Sequence, residues 1–447
     1  MRVEYEGAVK LKGNLLFFET IEGVGYNESV TLRYANKTLK GIVSAVDEKI
    51  TVIEILGDTY GLDINSIKAQ FHFKPLTIKL SENFIGKTLD AFANPIDGIT
   101  EYYEKESDIN LGAYNPAYRE YPKDIIQTGF SAIDGLNTLI KGQKLPVFAL
   151  SGLKNDEFVA KLATQISLEN SLIVLAAIGM RFERAQYLIN SISSKNSQIT
   201  VFLNLANEPT VNSLLLPRSA LTFAEYMAFE KGKNVIVILY DMTNYANALR
   251  EISSKKEEIP GKKGYPGYMY SDLASIYERA GIIKGKHGSI TQIPVLTLPD
   301  DDITHPIADL SGYITEGQIV FSRSLHKKGL FPPIDVLSSL SRLMNSAIDS
   351  RHKRFASQLY SSYANAKKIE SFASIIGESE LSELEKDYLK FAKNFEETFI
   401  AQNLPRSMDE TFKIAKKLLK ILPKTELTRL SQKEIGEIYD KKQIHAD

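Results

Sequence analysis

The chain has 447 residues, of which 43% are apolar, 24% charged and 10% aromatic; this excludes the disordered and fibrous classes and suits roughly two to four globular domains. Lys and Arg total 54 against 55 Asp and Glu, a balance that gives no sign of wholesale nucleic-acid or polybasic membrane binding. There is no cysteine, so disulfides, thiolate metal sites and cysteine nucleophiles are excluded, in keeping with a reducing cytoplasm.

The first residues, MRVEYEGAVKLKG, lack the apolar core of a signal peptide. No stretch approaches the ~18 uninterrupted apolar residues of a membrane span, so no direct membrane insertion is expected and other chains must hold the protein at any membrane where it works. From residue 1 to about 72, short β-rich runs such as Ile50–Ile55 are punctuated at Gly13-Asn14, Glu22-Gly23, Ala35-Asn36, Asp47-Glu48 and Gly57-Asp58. That spacing predicts a small antiparallel barrel or sandwich.

Between residues 73 and 345 the pattern changes. Apolar runs at Pro146–Leu150, Ser171–Ala177, Val201–Leu205, Val235–Tyr240 and Ile293–Leu298 alternate with helix-like stretches. These include Glu157 to Glu169 and Ala220 to Lys231. Continuous apolar strands between helices predict a parallel sheet buried on both faces. From 346 to 447 the pattern is helical. Leu384, Tyr388, Phe391, Phe395 and Phe399 form one apolar stripe. Ser407 and Glu410 make a capping-box signature ahead of Phe412, Ala415, Leu418, Leu419 and Leu422. The expectation is a multidomain chain: an N-terminal β-barrel (1–72), a central α/β domain (73–345), and a C-terminal α-helical bundle (346–447).

The run Val235–Leu239, then Tyr240 and Asp241, has the shape of a Walker B strand, whose terminal carboxylate holds magnesium or its water in P-loop proteins. Taken alone it fits equally well a buried strand ending in a helix-capping Asp. Upstream, a working phosphate loop would read G-x-x-x-x-G-K-[ST]. With Ala149 in first position, this chain passes through Gly152 and then puts Lys154 for the second Gly, Asn155 for the Lys and Asp156 for the hydroxyl residue. A phosphate about 4 Å from a carboxylate is repelled by roughly 4 kcal/mol at an effective dielectric near 20. Asp156 and Glu157 therefore oppose tight triphosphate binding, although the helix N-terminus remains. The six histidines, at 72, 287, 305, 326, 352 and 445, show no metal-ligand spacing, and no bound metal is expected.

Several further stretches resemble one family. They are Tyr121–Asp134, Gly142-Gln143-Lys144-Leu145-Pro146, Asp241–Tyr245, Ala248–Ile252, Gly264–Tyr270, Ile276–Gly281 and Asp301–Pro306. In this order and spacing they are similar to the non-catalytic B-type subunits of V- and A-type rotary ATPases. Pro332–Arg342 resembles the signature shared by rotary ATPase α/β-type subunits. Related catalytic subunits, flagellar export ATPases and the Rho helicase keep an intact Walker A loop, so the degenerate loop selects the non-catalytic branch.

The resemblance implies that the central α/β domain (73–345) is of the P-loop, RecA-like nucleotide-binding type, and it implies a role for each site residue. Arg342 takes the arginine-finger position, reaching across a subunit boundary to a neighbour's nucleotide. Guanidinium chemistry suits that task, and fingers given in trans contribute about 10³–10⁵-fold in rate, roughly 4–7 kcal/mol. The plain alternative for an Arg near a helix start is a structural salt bridge. Ser339 and Ser341 are expected to position the finger, against helix N-capping. Tyr313 is expected to line the shared site, against a packed interface tyrosine.

The Tyr265–Tyr270 cluster reads as a subunit interface rather than a base-stacking platform. Lys255-Lys256 and Lys262-Lys263 read as a solvated loop. The implied partners are the catalytic A subunit in an alternating hexameric ring, the central-stalk rotor and the peripheral stalk, with no nucleic acid. MgATP or MgADP would lie at the interface with the catalytic subunit, none being bound tightly by this chain alone. The expected location is cytoplasmic, peripheral to the membrane. The two rival readings are an autonomous RecA-like ATPase or helicase motor and a purely structural scaffold.

Overall fold

Period-two alternation in the first 75 residues closes a barrel. In the computed structural model, which describes residues 4–35, 37–98, 102–166, 170–193 and 198–439, six antiparallel strands form it. They are β1 (Ala8–Lys12), β2 (Leu15–Glu19), β3 (Glu28–Tyr34), β4 (Lys37–Val46), β5 (Ile50–Ile55) and β6 (Lys68–Pro75), paired in the order β1-β2-β5-β4-β3-β6. Alternate residues point inward: Leu16 and Phe18, Val30 and Leu32, Ile53 and Ile55, Ala69 and Phe71. Tyr5, ahead of β1, closes the ring on β6, its N–H and C=O bonding the Ala69 C=O and N–H at 2.8 and 2.9 Å. The turn signals fall between the strands or just after β5. Asn36 of one signal, the end of the helix expected to reach Glu169, and His445 lie outside the described residues.

Eight further strands serve the α/β part. They are β7 (Thr88–Leu89), β8 (Val147–Leu150), β9 (Ser171–Met180), β10 (Ile199–Leu205), β11 (Asn234–Tyr240), β12 (Ser289–Leu298), β13 (Gly317–Val320) and β14 (Leu340–Ser341). The chain forms two compact units, one from residues 1–119, 172–279 and 283–290, the other from 120–171, 280–282 and 291–447. In the first, strands run in the order β11-β9-β10-β7, with β9, β10 and β7 parallel. In the second the order is β14-β13-β8-β12, parallel except for β14, which runs antiparallel to β13. The five expected strands are all present, and their residues are almost wholly buried.

Two helices depart from the sequence reading. Helix α1 (Asn155–Gln165) starts two residues before Glu157 and ends at Gln165. Helix α2 (Thr210–Glu225) starts ten residues before Ala220, holds Pro217 in its interior, and runs into a π turn at Tyr226–Glu230. Proline reads as a break, yet Leu215, Leu216, Pro217, Leu221 and Phe223 are all buried, and that packing outweighs the missing hydrogen bond. Helix α3 (Met242–Lys255) follows β11, and α4 (Pro306–Ile314) precedes β13.

The C-terminal region is helical: α5 (Ser350–Ile376), α6 (Glu383–Asn394), α7 (Met408–Leu419) and α8 (Gln432–Tyr439). Asp349 caps α5 through the His352 N–H at 2.7 Å. Ser407 and Glu410 form the expected capping box. Of the aromatic stripe, Tyr388, Phe391, Phe395 and Phe399 are buried, and Phe395 stacks on Tyr363 at 4.5 Å between centroids. Leu384, on the first turn, stays exposed. Among the described residues no helix is long and apolar enough to cross a membrane.

The lysines read as a solvated loop divide. Lys262 and Lys263 are exposed. Lys255 pairs with Glu251 at 2.7 Å, and Lys256 reaches the buried barrel residue Glu54 at 3.0 Å. Sequence spacing could not show that the barrel strand β5 brings a carboxylate to the end of α3. Tyr265 is likewise packed, buried under the Arg250 guanidinium at 5.1 Å, while Tyr268 and Tyr270 are exposed.

One buried ion pair anchors α2. Arg279 is 2% exposed and grips Glu225 through two bonds of 2.7 and 2.6 Å. Its other donors reach Thr222 Oγ1, the Ile109 carbonyl and the Arg218 carbonyl. All five guanidinium N–H groups are thus occupied. Removing the arginine strands a buried carboxylate, so Arg279→Ala should lower the free energy of unfolding by about 3–5 kcal/mol in chemical denaturation.

A second prediction concerns acid. The Arg354 guanidinium, with the Ser431 N–H and hydroxyl, holds the Glu434 carboxyl at about 2, below its ordinary 4.5. A depressed carboxylate stabilises the fold above its unfolded value, and that contribution is lost as pH falls toward the folded one. The melting-temperature gap between the unmodified protein and Arg354→Met should be full above pH 5 and should narrow from 4.5 toward 2.

Candidate functional site

The degenerate loop leaves the carboxyl end of β8. Ala149 is the third residue of that strand, wholly buried, and Gly152 turns the chain at φ +76°. Lys154 then stands at the N-cap of α1 without a side-chain capping bond. Asn155 opens the helix and folds inward: it is 6% exposed, and its Nδ2 donates to the Leu150 carbonyl at 3.0 Å. Its Oδ1 finds no donor among the described residues. Where a working loop sets a lysine to meet phosphate, this one presents a buried amide whose free atom is an acceptor.

The flanking charges complete the change. Lys154 Nζ lies 3.6 Å from Glu157 and 5.7 Å from the centre of the Phe331 ring. Asp156 and Glu157 occupy the first helical turn, where they satisfy the helix dipole that an anion would otherwise answer. Arg323 straps the loop from outside, donating to the Ser151 carbonyl at 2.8 Å while bonded to Asp301 at 2.5 and 2.7 Å. The residues present therefore do not fit a tightly held triphosphate. Arg323 escaped the sequence reading because no loop motif includes a residue so distant in the chain.

Arg342 stands at the other end of the same strands. It follows β14, which pairs with β13 through Gly317–Ser341 and Gln318–Leu340. Its N–H bonds the Glu316 carbonyl at 3.0 Å and its Nη1 donates to the Thr315 carbonyl at 3.1 Å. The side chain is otherwise exposed, and no carboxylate pairs with it among the described residues. The structural salt bridge that the sequence left open is not what holds it. It also precedes a turn rather than opening a helix, since the next helical residue is Met344.

Neither serine caps a helix. Ser341 is buried, donates to the Thr138 carbonyl at 2.9 Å and accepts from Gln143 Nε2 at 3.1 Å. Ser339 donates to the Asp335 carbonyl at 2.6 Å and accepts from the Val320 N–H at 2.9 Å. Each pins the short strand that carries Arg342. Tyr313 lies near the end of α4, 73% exposed, two residues before the carbonyl that receives the arginine.

Beneath Arg342 lies a polar hub that motif reading passed over. Gln143 is wholly buried and Lys144 is 5% exposed. Lys144 Nζ meets Glu316 Oε1 at 2.9 Å, and its N–H meets Oε2 at 2.8 Å. Gln143 Nε2 also donates to the Glu316 carbonyl at 3.0 Å. Gly317 allows β14 to come this close: at φ +142°, a Cβ would stand 2.1 Å from the Leu340 carbonyl oxygen. Polar residues inside Gly142–Pro146, just before a buried strand, were the available signal.

The hub and the loop are held apart by β8. Seven residues lead from Lys144 to Ser151, roughly 20 Å of extended chain. No arginine side chain spans that, so Arg342 cannot serve its own chain's loop. What the arrangement offers chemically is a permanently charged, forked donor presented outward.

Asp241 belongs to the first unit. It follows β11 across a cis peptide bond from Tyr240, is buried, and caps α3 by accepting the Thr243 N–H at 2.9 Å. The capping role that the sequence allowed is thus present.

Two family models match the chain: the nucleotide-binding domain of the ATP synthase alpha/beta family over residues 129–341, and the C-terminal domain of V and A type ATP synthase over residues 341–439. The chain is 48% identical over 450 residues to a V-type ATP synthase beta chain of Thermotoga neapolitana, covering 98% of each. It is 45% identical over 451 residues to one of Halothermothrix orenii, covering 98% of this chain and 97% of that one. A solved ATP synthase subunit, NeqB from Nanoarcheaum equitans, matches with a TM-score of 0.73 at 38% identity, covering 88% of this chain and 98% of that one. The chain belongs to the V-type beta-chain branch of the ATP synthase alpha/beta family.

Proposed function

We propose that this chain is a non-catalytic subunit that alternates with catalytic A subunits in a hexameric head and supplies Arg342 in trans to their nucleotide. The observation that carries the reading is the placement of Arg342: outward, without a carboxylate partner among the described residues, and a full strand length from a loop unsuited to triphosphate. MgATP or MgADP would be held at the shared interface, where the partner provides the phosphate loop, the magnesium ligands and the catalytic carboxylate. The guanidinium would stabilise charge building on the transferring phosphoryl group. Ser339, Ser341 and Tyr313 support the same site, the serines by fixing the strand and the tyrosine by standing beside it.

Through the complex the chain would work at the cytoplasmic face of a membrane, against a central-stalk rotor and a peripheral stalk, coupling ATP hydrolysis or synthesis to rotation and ion transport. An autonomous motor is the second reading, and the Asn155–Glu157 chemistry speaks against it.

In a ring reconstituted with its catalytic partner, Arg342→Ala should cut ATP turnover at least about a hundredfold. Arg342→Lys should not restore it, because an ammonium lacks the fork. Turnover left nearly intact would make the subunit a scaffold. For the isolated chain, calorimetric titration with MgATP should show weak or no binding; nanomolar affinity would refute the reading of the loop.

A further inference from the structure

We propose that Lys144 is a positioning residue for Arg342, acting through Glu316; the proposal rests on the trans role given to Arg342 above. The geometry is a relay of backbone and side-chain bonds. Thr315 and Glu316 grip the arginine at both ends, one carbonyl on its guanidinium and the other on its N–H. Glu316 in turn is fixed at three points by Lys144: Nζ on Oε1 at 2.9 Å, the backbone N–H on Oε2 at 2.8 Å, and the lysine carbonyl accepting the Glu316 N–H at 3.0 Å. Gln143 braces the Glu316 carbonyl and Ser341 Oγ together.

A buried lysine is a costly way to fill this space. Its side chain is 6% exposed, that of Glu316 30% exposed, and an apolar pair of similar volume would hold the strands together at least as well. What an apolar pair cannot do is fix a carboxylate, and the main chain behind it, in one direction. Among the described residues Arg342 makes a single side-chain bond, to the Thr315 carbonyl, so its aim is set by the Thr315–Glu316 main chain. Catalytic geometry tolerates little error, and a displacement of about 1 Å can cost a hundredfold in rate.

The test uses the reconstituted ring and a double-mutant cycle. Lys144→Met should lower turnover at saturating ATP by about ten- to a hundredfold with KM changed less than about threefold; Lys144→Arg should keep most of the rate. Because Lys144→Met removes the ammonium from Glu316 Oε1 and leaves only the backbone N–H on Oε2, the double variant Lys144→Met/Glu316→Leu is also measured. It should regain thermal stability without regaining turnover. In an Arg342→Ala background, Lys144→Met should have no further effect on turnover.

Recovery of turnover together with stability in the double variant would overturn the proposal, as would an undiminished loss from Lys144→Met when Arg342 is already absent. If Arg342→Ala alone leaves turnover intact, the trans role itself fails, an outcome separate from either of those.

Discussion

The ion pair between Lys144 and Glu316 is the constraint on which the arrangement around Arg342 depends. It joins the residues just before β8 to the residues just before β13, and so fixes two parallel strands at their amino ends. Everything attached to that end inherits the constraint: Gln143, Ser341, the short antiparallel strand β14 and the arginine that follows it. Gly317 supplies the matching steric condition, since β14 lies where a side chain would otherwise be.

The two ends of β8 have gone different ways. At its carboxyl end, where open parallel sheets ordinarily receive ligands, the loop is closed by its own amide, acids and the Arg323 strap. At its amino end the polar groups are satisfied internally and one guanidinium faces out. The loop departs from the working pattern at both buried and exposed positions, Ala149 and Asn155 being buried and Lys154 exposed, whereas the hub joins the buried Gln143, Lys144 and Ser341 to a partly exposed Glu316.

Much of this was legible in the sequence. The barrel strands, the parallel strands and the Ser407 cap all follow from periodicity and turn chemistry, because those signals are local. The degenerate loop was legible for the same reason, its departures from G-x-x-x-x-G-K-[ST] lying within eight residues. Arg342 was legible only through the resemblance carried by Pro332–Arg342. What was not legible is what depends on distant pairs. Glu316 is 172 residues from Lys144 and Arg323 is 172 from Ser151, and no spacing rule links them. The start of α2 was hidden by Pro217, where burial of the whole helix outweighs a local breaker.

The Tyr5–Ala69 bridge that closes the barrel limits how this chain can associate. A sheet with two free edges offers unpaired N–H and C=O groups to any passing strand, the usual route to runaway polymerisation. Here Tyr5, ahead of β1, bridges Ala69 of β6 through two backbone bonds, so at that point the rim of the ladder is already paired within the chain. A neighbour that meets this bridged point must recognise side chains, and side chains can distinguish one neighbour from another in a way that backbone pairing cannot.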